Sequence, residues 1–279
     1  LEITDDPTEP PTNAIDDPRN FVRQHYHDFL NREPDQAGWD FWTDNITRCN
    51  DPARRPAGQT VEQCIDKQRE TTSGAFFLSP EFQYTGSYIY GVYKGSLGRR
   101  PTFLEFMRDM PQLVNGIIVG GQISGATIEA NRAEYLNQFV QRSEFVSIYG
   151  ALTNQGYVDK LFQTTATVVS EADKQALVNG LNGATETRAS VLHKVINGTR
   201  VISEGQTEVV AAYGKTFYDS QFNPAFVQME YFGYMRRTED TAGFNFWLGK
   251  LNSYGDFLSA EMVRSFLLSP EYRRRFGSN

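Results

Sequence analysis

The chain repeats itself near its two ends, and that repeat limits the folds open to it more than any other feature. Residues 21–42 align without a gap on residues 226–247. Nine identities are shared: Phe21/Phe226, Val22/Val227, Tyr26/Tyr231, Arg32/Arg237, Asp35/Asp240, Ala37/Ala242, Gly38/Gly243, Phe41/Phe246 and Trp42/Trp247. Further on, Phe76-Phe77-Leu78-Ser79-Pro80-Glu81-Phe82 returns as Phe266-Leu267-Leu268-Ser269-Pro270-Glu271-Tyr272. A repeat of this kind implies one supersecondary unit used more than once, with neighbouring copies burying one another's apolar faces.

Weaker echoes lie between. Tyr93, Leu97, Arg99 and Pro101 reproduce the spacing of Tyr26, Leu30, Arg32 and Pro34, and Phe139-Val140-Gln141-Arg142-Ser143-Glu144-Phe145 echoes the Ser-Pro-Glu-Phe segment. A fourth unit is read from Tyr157-Val158-Asp159-Lys160-Leu161-Phe162 to Ile196. The expected units are 20–83, 88–147, 157–202 and 224–277, within a helical domain 19–279.

The spacing within these units is helical. Val22, Tyr26 and Phe29 fall at i, i+4 and i+7, and Phe226 begins the same stripe in the last copy. Helices are expected over 153–163, 171–182, 186–196, 223–236 and 255–268, each closed by Gly, Asn or Ser-Pro. The fold class read from this is all-α: a helical repeat body of about four degenerate helix-loop-helix units, with a short β-like arm at residues 1–6.

Within each strong copy the shared residues are those a packing unit needs. Pro34 ends one helix, Asp35 caps the next by accepting from its free amides, and Gly38 permits a close helix approach. Trp42 lies one turn beyond Gly38 on the same face. Asp240, Gly243 and Trp247 repeat the arrangement, with Glu239 in place of the Pro. Ser79 and Ser269 read as N-caps with Pro at the first helical position. Arg32 and Arg237 are expected to pair with the cap carboxylates or with Glu81 and Glu271, a structural bracket and not a catalytic one. The motif set is thus Tyr26, Arg32, Asp35, Gly38, Trp42, Ser79 and Glu81, with Tyr231, Arg237, Asp240, Gly243, Trp247, Ser269 and Glu271.

The pattern Tyr-x-x-x-Leu-x-Arg-x-Pro-Asp-x-x-Gly-x-x-x-Trp followed by Phe-Leu-x-Ser-Pro-Glu-Phe resembles the bacterial domain-of-unknown-function family 4214. The resemblance is close at 20–83 and 224–277 and diffuse between them. It implies an α-helical appendage of large secreted or cell-surface proteins and supplies no catalytic residues. A more distant similarity to phycobilisome linker domains points, by analogy, to an interaction role.

Residues 1–18 differ in character. Leu1-Glu2-Ile3-Thr4-Asp5-Asp6 alternates as a strand does, and Pro7 to Pro18 reads as a Pro/Asp/Thr linker. The segment resembles the last strand of a Calx-beta domain, which implies a preceding sheet domain or a neighbouring subunit to receive it.

The cysteines bear on compartment. Trp42 and Ser79 are 37 residues apart but Trp247 and Ser269 only 22, so the first copy carries 15 more, and both Cys49 and Cys64 fall in that insertion. In the oxidising setting that the family resemblance implies, a Cys49–Cys64 disulfide is expected in preference to two free thiols. It would restrict the unfolded chain by about 3 kcal/mol. No metal site is expected, since there is no Cys-x-x-Cys pair and His25 and His27 point to different sides of a helix.

Other constellations read as structural. His193, among Val191, Leu192 and Val195, is expected to be a surface or half-buried helix residue. Asp5-Asp6 and Asp16-Asp17 lack the spaced pattern of a calcium loop. Arg273-Arg274-Arg275 sits where cations offset a helix dipole. A net charge of −7 disfavours nucleic acid, and no apolar run is long enough to span a bilayer.

No cofactor and no enzymatic activity are expected. The function read from the sequence is a structural or interaction module at the cell surface or outside the cell, with self-assembly as one mode open to it, its partners being other domains of the same protein or neighbouring subunits. The alternative is a carbohydrate-binding or glycan-processing domain with a cell-surface glycan as partner. Trp39, Tyr84, Tyr88 and Tyr90 around an open cleft with two facing carboxylates would favour it.

Overall fold

In a computed structural model of the chain, residues 13–277 are described. In chain order the helices are α1 (Pro18–Leu30), α2 (Gln36–Thr47), α3 (Val61–Leu78), α4 (Pro80–Tyr84), α5 (Gly86–Leu97), α6 (Phe103–Val114), α7 (Gly125–Phe139), α8 (Ser143–Tyr149), α9 (Asn154–Thr165), α10 (Glu171–Asn182), α11 (Arg188–Ile196), α12 (Ala212–Ser220), α13 (Phe222–Glu230), α14 (Thr241–Tyr254), α15 (Met262–Leu267) and α16 (Pro270–Arg273). Two antiparallel hairpins interrupt them: β1 (Ile118–Val119) with β2 (Gln122–Ile123), and β3 (Thr199–Ser203) with β4 (Gln206–Val209). The fold is therefore all-α, with short hairpins as connectors. The described residues form two compact units, a terminal one of residues 13–77 and 229–277 and a central one of residues 78–228.

In the terminal unit, Asp17 caps α1 by accepting from the Asn20 amide at 2.8 Å, with Pro18 at the first helical position. The helix stops at Asn31, which is left-handed at φ 52° and whose amide bonds back to Tyr26 O. Pro34 therefore lies beyond a turn that Asn31 has already made. Arg236 occupies the corresponding position at φ 54°, ending a π-helical turn (Tyr231–Met235) that continues α13. Asp35 and Asp240 cap α2 and α14, accepting from Gly38 N at 2.8 Å and Gly243 N at 2.7 Å. Cys49 and Cys64 form a disulfide that closes the insertion between α2 and α3.

Residues 13–17 correct the linker reading. Ile15 is buried, Asn13 Nδ2 donates to Arg273 O at 3.0 Å, and both oxygens of Asp16 accept from Arg273 at 2.8 Å. A linker composition conceals one apolar anchor and two polar groups that the cationic end of α16 can bind. The segment expected to dock outside the helical body is thus tied to it at 13–17. The β-like arm and the Calx-beta resemblance fall on residues 1–6, outside the described residues.

Three other readings are corrected. The helix expected over 255–268 is α15 alone, because Gly255 (φ 81°) caps α14 and the left-handed Glu261 (φ 52°) delays the next start. The fourth expected unit, 157–202, ends inside strand β3 and not in a helix. Arg273, Arg274 and Arg275 do more than offset a dipole. Arg273 holds Asp16, Arg274 Nε donates to Pro270 O, and Arg275 ion-pairs with Asp28 at 2.8 Å while donating to Gly233 O and Tyr234 O.

In the central unit α5 is buried along nearly its whole length, with Tyr88, Tyr90 and Tyr93 each 1% exposed. It packs on α6, α8, α9 and α11. Hairpin β3–β4 lies against α7, and Val201 joins Tyr84, Ile117, Ile123 and Ile128 in an apolar cluster. Ser79 caps α4 by accepting from Phe82 N at 3.2 Å.

Candidate functional site

The motif residues form a bracket, built the same way in both strong copies. The left-handed residue after the helix turns the chain so that the next arginine folds back over the tyrosine six positions earlier. Arg32 lies 4.9 Å from the Tyr26 ring centroid and Arg237 5.3 Å from that of Tyr231. The same arginines approach the cap carboxylates, Asp35 at 3.7 Å and Asp240 at 3.8 Å, and Arg237 also pairs with Glu271 at 2.7 Å.

Each tyrosine hydroxyl sits over the glycine of the next helix. A Cβ on Gly38 would lie inside the contact shell of Tyr26 Oη, and one on Gly243 inside that of Tyr231 Oη. Trp42 then packs on Phe76 at 5.7 Å, and Trp247 on Phe266 at 5.7 Å. Tyr26 meets Phe76 edge-on at 4.9 Å and Tyr231 meets Phe266 at 5.0 Å, both at 83°. Phe41 and Phe246, each edge-on to its own Trp, remain 59% and 57% exposed.

A third bracket stands in the central unit. Gly98 is left-handed at φ 71°, and Arg99 lies 5.3 Å from the Tyr93 ring centroid, with Thr102 capping α6. Tyr93 meets Phe139 edge-on at 5.2 Å. Arg99 pairs with Glu105 at 2.7 Å and Glu144 at 2.6 Å, the latter matching the Arg237–Glu271 pair. The expected fourth unit has no such bracket: Tyr157 Oη donates to Arg188 O across 31 residues.

Four of the positions at which the third copy departs from the others carry its polar chemistry. Gly38, Phe41, Trp42 and Ser79 correspond to Glu105, Arg108, Asp109 and Arg142. Asp109 is fully buried, and its carboxylate accepts from Tyr93 (2.9 Å), Tyr135 (2.9 Å), Arg108 Nε (2.8 Å) and both terminal nitrogens of Arg142 (2.7 and 2.8 Å). Burial acts to raise the Asp109 carboxyl, but hydrogen bonds from Arg142 and Arg108 outweigh it and hold it below its ordinary range. Arg142 stacks on Phe139 at 4.7 Å, as an indole does in the other copies. This cluster was missed in the sequence; the signal for it was Asp109 standing at the tryptophan position.

The buried histidine, the half-buried one and Arg132 are spent on the scaffold. His25 Nδ1 bonds Phe21 O at 2.8 Å and Nε2 bonds Ser73 Oγ at 2.7 Å; Ser73 in turn meets Tyr234 Oη. Burial pushes His25 down to about 3. His193 is half-buried as expected, bonded to Tyr88 Oη at 2.8 Å and Thr199 O at 2.9 Å, and burial lowers it to about 4. Arg132, 2% exposed, holds Tyr84 O at 3.0 and 3.1 Å and pairs with Glu129. Tyr84, Tyr88 and Tyr90 are buried, and Trp39 Nε1 donates to Arg19 O, so the four do not surround an open cleft.

Fold and bracket together define an all-α protein built on a repeated Tyr–Arg–Asp clasp. The model of the family described as Domain of unknown function (DUF4214) matches two segments of this chain, residues 13–50 and 205–276. No curated protein and no solved structure matches the chain.

Proposed function

We propose that the chain is a non-catalytic interaction module of a larger secreted or cell-surface protein and that it associates with further copies of itself. The observation that carries this reading is the repeated exposure of Phe41 and Phe246. Both matching segments bury the other aromatic residues of the motif deeply or in part, yet each leaves a phenylalanine largely in solvent at the same position. Exposed aromatics placed by a repeat supply apolar contact at an interface. The disulfide supports an oxidising compartment. No helix among the described residues is long and apolar enough to cross a membrane.

The bracket supports a non-enzymatic role, because its Arg and Asp groups bind one another or cap helices. The double variant Phe41→Ser/Phe246→Ser tests the interface. Light scattering should show a shift from oligomer to monomer, with the helical circular-dichroism signal unchanged. Association of equal strength in the variant would sink the assignment of these two residues.

A further inference from the structure

The third copy holds an open groove of about 380 Å³ lined by Tyr93, Leu97, Glu105, Arg108, Arg142 and Glu144 among others. Those six residues all stand at bracket positions, and three of the four departures described above, Glu105, Arg108 and Arg142, line the groove. The fourth, Asp109, is fully buried beneath them. Replacing Trp with the shorter Asp removes an indole, and Glu105 and Arg142 place charged side chains where the other copies have Gly and Ser.

The charges are arranged and fixed. Asp109 orients two guanidiniums with one carboxylate, leaving one positive charge in excess at that end. Arg99 likewise holds two carboxylates, Glu105 and Glu144, leaving one negative charge in excess there. Donors remain unspent on the cationic side: Arg108 bonds through Nε and one terminal nitrogen, and Arg142 through its two terminal nitrogens, so Arg108 Nη1 and Arg142 Nε bind nothing among the described residues. Arg108 is 54% exposed along its side chain and Glu144 46%.

We propose that this groove binds an acidic sugar, a uronic acid unit of a glycan, with its carboxylate on Arg108 and Arg142 and its hydroxyls donating to Glu105 and Glu144. Preorganised guanidiniums favour a carboxylate. The adjoining fixed carboxylates repel a purely anionic ligand and accept from neutral hydroxyls, which a sugar has and an acidic peptide side chain lacks. This site goes beyond the interaction role proposed above and does not depend on self-association.

The test is isothermal titration of the full chain with an oligogalacturonate, with the neutral oligosaccharide of the same length and with an oligo-glutamate peptide. The acidic sugar should bind, weakening at least tenfold in Arg108→Ala, whose side chain is largely exposed, and weakening as salt rises. The neutral sugar and the peptide should bind at least tenfold more weakly. No oligogalacturonate binding, equal binding by Arg108→Ala, or equal binding of the peptide would each overturn the proposal. Helical circular dichroism of the variant confirms that a loss is not unfolding.

Discussion

Phe29 and Tyr234, which hold the same place in the two strong copies, meet ring to ring at 5.6 Å and 76°. The two copies thus pack on each other through equivalent residues, as in an isologous interface joined within one chain. Their neighbours one turn earlier are also equivalent, yet differ in chemistry: His25 in one copy and Glu230 in the other, 1% and 0% exposed. Duplication supplied the symmetric contact, and divergence placed unlike titratable groups beside it.

The glycines of the bracket give the first prediction. Gly243→Ala drives a methyl into Tyr231 Oη and should lower stability by about 1–3 kcal/mol. In a Tyr231→Phe background the hydroxyl is gone and the loss should shrink. Urea denaturation of the four proteins measures the coupling; equal losses in both backgrounds would show that the close approach does not set the residue type. Gly38 with Tyr26 should behave alike.

His25 makes stability depend on pH. Its folded value is depressed to about 3 from an ordinary 6.5, because burial disfavours the imidazolium. The unfolded chain therefore binds more protons between these values, so the contribution is complete above pH 6.5 and is lost as pH falls through the window. His193, lowered to about 4, acts in the same direction. The melting temperature should fall on acidification from pH 7 to pH 4, with a shallower slope in His25→Gln. A slope unchanged by that substitution would contradict the assignment.

Glu230 acts in the opposite sense. Both of its carboxyl oxygens are buried without a hydrogen-bond partner among the described residues, and burial raises it well above its ordinary range. The protonated form is favoured in the fold, so the contribution is present below pH about 4.3 and is lost as pH rises. Glu230→Met should stabilise the protein at pH 7 by about 1–3 kcal/mol and have little effect at pH 4. Destabilisation at pH 7 would mean that the acid has a partner in solution.

The disulfide closes 15 residues within the stretch by which the first copy exceeds the last. The Cys49→Ser/Cys64→Ser variant should lose about 3 kcal/mol, and non-reduced peptide mapping should recover one linked pair. Two freely alkylated thiols in native material would remove both the bond and the local argument for an oxidising compartment.

Much of this was legible in residue types with one local meaning. Asp35, Asp240, Ser79 and Ser269 are the caps their spacing announces, because an N-cap needs only its own helix. Tyr26, Arg32, Gly38 and Trp42 are recognisable because a second copy repeats them. What stayed hidden depends on partners distant in sequence. Asn13 and Asp16 look like linker residues until Arg273 is placed beside them, 260 and 257 residues away. Asp109 looks like a surface helix residue until Arg142 and Tyr135 close over it, and the left-handed Arg236 carries no glycine to mark the turn.

Sedimentation velocity across two decades of protein concentration, on the full chain and on a form lacking residues 1–12, tests the interaction reading most directly. With the interface on the helical faces bearing Phe41 and Phe246, both forms should shift reversibly to larger species as concentration rises, to the same degree. A single monomeric boundary at every concentration would contradict self-association, and association lost only in the shortened form would move the interface to the N-terminal arm.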